Sequence, residues 1–187
     1  MCLWFWGDTH FWHANIIKYC NRPFSNVDEM NSIIIRKFNE RVKDGDLVFF
    51  LGDLGFKSGT GRGEGEPHKP QEILTKLNCS NIIFCNGNHD TKGRNGFKTP
   101  IKSIVIEYGG SFMNLTHNPE HANFNYPINL VGHVHEKWFC KRLFNKGKFT
   151  DCINVGVDVW NFYPVSWDEI NSRYIKWKKE YEKTNKI

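Results

Sequence analysis

Eight histidines occur in the 187 residues, and most stand beside an acid or an amide at short, regular spacings. Asp8-Thr9-His10 and His133-Val134-His135 each separate two metal-competent side chains by one residue. In extended backbone that spacing sends both side chains to one side, so each pair is expected to hold one ion. Asp53 follows Gly52, Asn88-His89-Asp90 follows Gly87, and His117 comes soon after Phe112-Met-Asn-Leu115. Imidazoles mixed with carboxylates and an amide oxygen suit Mn, Fe, Zn or Ni, not Ca or a thiolate-bound metal. Few acids among many histidines point to two adjacent cations. Two cations roughly 3.5–4 Å apart share a bridging hydroxide as nucleophile and clamp a phosphoryl oxygen during in-line displacement. The chemistry expected of this set is phosphoester hydrolysis.

Each of these groups needs an element that ends where the group begins. Leu3 to Trp6 is a short aromatic run stopped by Gly7-Asp8, as expected of a buried strand that delivers Asp8. Val27, Met30, Ile34, Phe38 and Val42 recur at helical spacing behind Asp28 and Glu29, until Asp44-Gly45. Leu47 to Leu51 is uninterruptedly apolar, predicting a strand covered on both faces that ends at Gly52-Asp53. Gln71 to Leu77 predicts a short helix, and Ile82 to Cys85 a strand ending at Asn86-Gly87-Asn88-His89-Asp90. Four further strands are expected at Ser103 to Tyr108, Ser111 to Leu115, Ile128 to Val131 and Cys152 to Val155. Ser166-Trp-Asp-Glu169 is a capping box opening a terminal helix. Residues 57–70 are too rich in Gly and Pro for regular structure and predict one mobile loop. That loop lacks the G-x-x-x-x-G-K-[ST] pattern of a phosphate cradle.

Read in order, the blocks Asp8-Thr-His10, Gly52-Asp53, Gly87-Asn-His-Asp90, His117 and Gly132-His-Val-His135 resemble the signature of the calcineurin-like metallophosphoesterases. Asp8 to Ile17 together with Asn21-Arg-Pro-Phe24 resembles the small bacterial and phage members. The resemblance spans residues 1 to 165. It implies an α/β (α+β) fold, a four-layer αββα sandwich of two mixed β-sheets flanked by helices, with residues 1–187 as a single domain. It implies a dinuclear metal-dependent phosphoesterase cleaving phosphodiesters or phosphomonoesters. By the same likeness Asp8, His10 and His135 would hold one divalent ion, Asn88, His117 and His133 the other, with Asp53 bridging. Manganese is the first expectation, with Fe, Zn or Ni as alternatives. His89 would protonate the departing alkoxide, and Asp90 would fix its tautomer and basicity. Gly7 stands where many relatives carry a small hydroxyl residue, and there is no large cap domain.

Substrate contacts are weaker in the sequence. His13, one turn past the first metal pair, and the guanidinium forks of Arg22 and Arg94 are the candidates for holding a substrate phosphate. Asp158 reads equally well as a turn or capping residue. His68 and His121 read as solvated, and Trp4, Trp6, Phe11 and Trp12 as core or pocket wall.

With 40% apolar and 24% charged residues the composition is that of an ordinary globular protein, long enough for a core without disulfide staples. No apolar run approaches the roughly 20 residues of a membrane span, and the N-terminus lacks the features of a signal peptide. Six cysteines without a C-x-x-C pair read as reduced, mostly buried thiols, and the expected location is the cytoplasm. The net charge is +5, and residues 171–187 hold six basic against two acidic side chains. That excess suits a solvated helix face, and it keeps a nucleotide or nucleic acid among the expected phosphoester substrates. One rival reading is a nuclease acting on single strands or ends; another, of a different class, is a binding scaffold that kept the fold and lost the chemistry. The ligand set is complete here, which weighs against the scaffold.

Overall fold

A computed structural model of the chain describes residues 1–56, 70–90 and 99–185. Most of the expected Gly-rich loop, and Arg94, lie outside the described residues.

Two mixed sheets carry the architecture. The first has the order β3-β2-β1-β9, from β1 (Leu3–Trp6), β2 (Leu47–Phe50), β3 (Ile82–Phe84) and β9 (Val165–Ser166). Here β1, β2 and β3 run parallel, with β9 antiparallel against β1. The second has the order β4-β5-β6-β8-β7, from β4 (Ser103–Tyr108), β5 (Ser111–Thr116), β6 (Ile128–Val131), β7 (Cys140–Asn145) and β8 (Lys148–Asn154). Among the described residues four α-helices flank the sheets: α1 (Ala14–Tyr19), α2 (Val27–Arg41), α3 (Pro70–Leu74) and α4 (Trp167–Asn185).

The two-residue period of the strands divides the core. Trp6, Val48 and Phe50 face outward and pack with Ile16 of α1, Met30, Ile34 and Phe38 of α2, and Ile73 of α3. Their alternates Phe5 and Phe49 face inward, with Leu51, against Met113, Leu115, Leu130 and Ile153 of the second sheet. Trp167, Ile170 and Tyr174 of α4 join that inner cluster. The strands β1 and β2 are thus covered on both faces, which is why they read as unbroken apolar runs. A Glu29 N–H to Asn26 Oδ1 bond of 2.9 Å caps α2. At α4, Ser166 N–H donates to Glu169 Oε2 at 3.0 Å and Glu169 N–H to Ser166 Oγ at 3.4 Å, the reciprocal box expected from the sequence.

Elements α1 and β7 were not expected. The first is only six residues long and the second alternates polar and apolar side chains too irregularly. Hairpin β7–β8 turns through Lys146 and Gly147, both at positive φ, and makes β8 start at Lys148 instead of Cys152. Cys2 is exposed, and the other five cysteines are buried free thiols. No described helix is long and apolar enough to cross a membrane.

Candidate metal centre

The polar residues predicted at strand ends do meet. Asp8, His10 and His135 present ligand atoms within 4.8 Å of one another; so do Asp53, His117 and His133, and so do His10, Asp53 and His89. Asp53 Oδ2 lies 3.5 Å from His10 Nε2 and 3.4 Å from His117 Nε2, between the first two groups. Asn88 Oδ1 is 2.9 Å from His117 Nε2 and 2.8 Å from His133 Nδ1, so the amide belongs with the second group. His133 and His135 therefore serve different groups, not one ion as their spacing alone suggested.

Asp8, His10, Asp53, His133 and His135 all have positive φ, between 49° and 71°. None is in extended backbone; each sits in a left-handed turn just past its strand. Chain reversal there lets loops from both sheets converge on one point. Neighbouring glycines make the room. A Cβ on Gly132 would stand 2.6 Å from Asp8 Oδ2, and one on Gly87 would collide with Asp53 Oδ1 and its backbone nitrogen.

Burial and charge set the protonation of the group. Burial raises Asp8 to about 6, against the opposing pull of His117 and His135. Burial also works against Asp53, but the hydrogen bond and charge of His117, with His10 and His89, hold it well below the usual carboxylate range. For His117 burial is outweighed by its hydrogen bond to Asp53 and by the charges of Asp53 and Asp8, which lift it to about 9. His135 is likewise lifted, against burial, to about 10, chiefly by its hydrogen bond to Asp158. Burial keeps His10 well below its ordinary value, and His133 below it as well.

His10 tests whether the cluster suits a cation. Both of its ring nitrogens are buried without a hydrogen-bond partner among the described residues. An orphaned buried imidazole is costly unless something ligates it, and a neutral imidazole between two carboxylates suits a divalent metal. With the carboxylate, imidazole and amide donors around it, the set fits a first-row divalent ion.

Supporting contacts revise several expected roles. Arg22 is buried, and its guanidinium is committed inside the protein. Nε and Nη2 donate to Asp158 Oδ1 and Oδ2 at 2.8 and 2.9 Å, Nη2 to the Asp8 carbonyl at 2.7 Å, and Nη1 to the Thr9 carbonyl at 2.9 Å. It offers no free fork to a substrate, contrary to the sequence expectation. Asp158 in turn accepts from His135 Nδ1 at 3.2 Å, an orienting role the sequence left undecided. Cys20 places its sulfur in a group with His135 and Asp158. Asp90 Oδ2 accepts the backbone N–H of Gly87 and of Asp53, both at 2.8 Å. These two bonds clamp the loops that carry Asn88 and Asp53.

His89 is held by rings: Phe56 at 4.8 Å and His10 at 5.4 Å between centroids. Its backbone N–H donates to Asp53 Oδ1 at 2.9 Å. His13 stacks on Phe56 at 4.0 Å and lies 5.5 Å from His10, and burial, then the charges of His89 and Arg22, lower it to about 4. Phe56 was not singled out in the sequence, although it follows Gly52-Asp53-Leu54-Gly55 directly. On the Asn88–His117 side the centre adjoins a cavity of about 500 Å³.

The sequence profile of the family described as calcineurin-like phosphoesterase matches residues 1–187. The chain belongs to that family. Calcineurin-like phosphoesterases hydrolyse phosphoester bonds, and membership implies divalent metal ions. An uncharacterized protein of Methanocaldococcus jannaschii is 44% identical over 167 residues, covering 88% of this chain and 86% of its own. A crystal structure of an Aquifex aeolicus protein of unknown function superposes with a TM-score of 0.64 at 23% identity, covering 91% of this chain and 98% of that one. That likeness shows the fold of two mixed sheets with flanking helices.

Proposed function

We propose that this calcineurin-like phosphoesterase is a dinuclear metal-dependent enzyme for phosphodiesters or phosphomonoesters. Asp8, His10 and His135 would hold one ion, Asn88, His117 and His133 the other, and Asp53 would serve both. The observation that carries this reading is the position of Asp53 Oδ2, 3.5 Å from an imidazole nitrogen of one group and 3.4 Å from one of the other. Bound there, divalent cations, Mn first among those the donors suit, supply Lewis acidity toward the phosphoryl oxygens and make water nucleophilic near neutral pH. The remaining work falls to side chains. His89, part-exposed and braced by Phe56 and His10, donates a proton to the departing ester oxygen. His13 and Phe56 wall that flank, so the departing group leaves along it.

The test is hydrolysis of p-nitrophenyl phosphate and bis-p-nitrophenyl phosphate by protein stripped of metal and reloaded with Mn. Asp53→Ala is expected to abolish Mn-dependent turnover of either ester. Full activity in a correctly folded Asp53→Ala protein overturns the reading.

A further inference from the structure

The cavity beside Asn88 and His117 has no part in the chemistry so far, yet it opens directly onto it. Its wall continues from those two residues to Lys102 and Ser103 at the start of β4, and to Asn118 and His121 beyond β5. The Ser103 to Thr116 pairing in the β4–β5 ladder, and the Thr116 Oγ1 bond to the Lys102 carbonyl, fix that wall next to His117. No carboxylate is among the described residues that line it. An ammonium, imidazoles, amides and hydroxyls make a surface for a hydroxylated or anionic group. At about 500 Å³ the cavity is in the size range that encloses an organic ligand.

Its position relative to His89 gives it a meaning. The His89 ring is packed against His10 and Phe56, and neither His89 nor those two residues lines the cavity. A departing oxygen protonated by His89 draws its substituent toward the Phe56–His13 flank. A phosphomonoester has only that one substituent and would leave the cavity unused. A phosphodiester has a second, which stays on phosphorus and needs a place on another flank.

We infer that the cavity is a subsite for the retained substituent of a phosphodiester, a nucleoside-sized polar group whose oxygens are met by Lys102, Ser103 and His121. The reaction is balanced without further reactants. The bond from phosphorus to the departing oxygen breaks and that oxygen takes the proton of His89. A bond from phosphorus to the water oxygen forms, the water releases a proton, and the second ester bond stays intact. The product is a monoester still seated in the cavity.

This inference rests on the proposed hydrolase reading, and the experiment separates the two. Thymidine 5′-(p-nitrophenyl phosphate) leaves thymidine 5′-phosphate as the retained group, whereas p-nitrophenyl phosphate leaves none. Wild-type protein loaded with Mn is expected to favour the thymidine ester by at least roughly tenfold in kcat/KM, the scale of one charge-assisted hydrogen bond. Lys102→Ala and Lys102→Glu are expected to cut that ratio by a similar factor, through KM, and to weaken inhibition by thymidine 5′-monophosphate in parallel. Lys102 is exposed on the cavity rim, so both variants should fold. Hydrolysis of neither ester counts against the hydrolase reading. Hydrolysis of both with an unchanged ratio in the Lys102 variants overturns the subsite alone.

Discussion

Arg22 and Asp158 are 136 positions apart and form a buried, two-pronged ion pair beneath the centre, with 0% and 3% of their side-chain surface exposed. The same guanidinium holds the Asp8 and Thr9 carbonyls, and the same carboxylate holds His135. Removing one member leaves the other charged and buried. Asp158→Ala is therefore expected to lower stability by roughly 3–5 kcal/mol. Freeing the His135 ring should also weaken Mn binding roughly 10–100-fold. Arg22→Lys keeps the charge but loses the fork, and should fall between wild type and Asp158→Ala. Urea unfolding and Mn titration separate the effects. A variant that unfolds earlier yet binds Mn as tightly as wild type limits the pair to holding the fold.

Protonation of the proposed ligands His117 and His135 is expected to couple metal uptake to pH. Raised to about 9 and about 10, both imidazoles are charged at pH 7 in protein stripped of metal. A cation bound as proposed would displace a proton from each, so loading at pH 7 is expected to release about two protons. Affinity should climb between pH 7 and pH 10. The stability of the stripped protein should move the other way. A histidine whose folded value is raised contributes fully below its ordinary value of 6.5, and that contribution fades as pH rises through about 9 to 10. Calorimetric titrations in buffers of different ionisation enthalpy count the protons. Release of none at pH 7 contradicts the argument.

Asp90 is expected to matter through its acceptor oxygen. Its Oδ2 satisfies the backbone N–H of Gly87 and Asp53, which set the loops carrying Asn88 and Asp53 itself. Asp90→Ala leaves two buried donors unpaired, at about 1–3 kcal/mol each. Asp90→Asn retains an acceptor and should keep most of the stability and most of the turnover. If the amide variant is as damaged as the alanine variant, the carboxylate acts in some way beyond this clamp.

Gly132→Ala should move Asp8 without altering any ligand's identity. The new methyl would stand 2.6 Å from Asp8 Oδ2, in a loop whose His133 N–H already binds both Asp8 carboxylate oxygens at 3.0 and 2.8 Å. Turnover should fall at least tenfold with little change in overall fold. Crystallography or histidine NMR of the variant would locate the shift, and an unmoved Asp8 with full activity contradicts it.

Much of the fold and of the candidate site is legible in the amino-acid sequence. The strands β1, β2 and β3 are short apolar runs closed by polar turns, and candidate site residues stand where such runs stop. Periodicity locates α2 for the same reason, since Met30, Ile34 and Phe38 must all reach one core. Conformation at the turns and pairing across the chain are what the sequence hides. Alternation assumes extended backbone, so it pairs His133 with His135, whereas the turns put them in different ligand groups. Arg22 looks available because nothing near it in sequence announces Asp158. Asp90 also holds two backbone N–H groups, and backbone groups leave no mark in a sequence.

Five of the proposed ligands occupy a backbone region that ordinary residues avoid. At about 1 kcal/mol per non-glycine residue, they set aside on the order of 5 kcal/mol, comparable to the low end of a whole domain's stability. The part of the molecule best suited to chemistry is thus the part least suited to folding. Selection for thermostability alone, without selection for turnover, should drift toward glycine at His133 and its companions first. A thermally hardened descendant would keep both sheets and surrender the centre they were arranged to present.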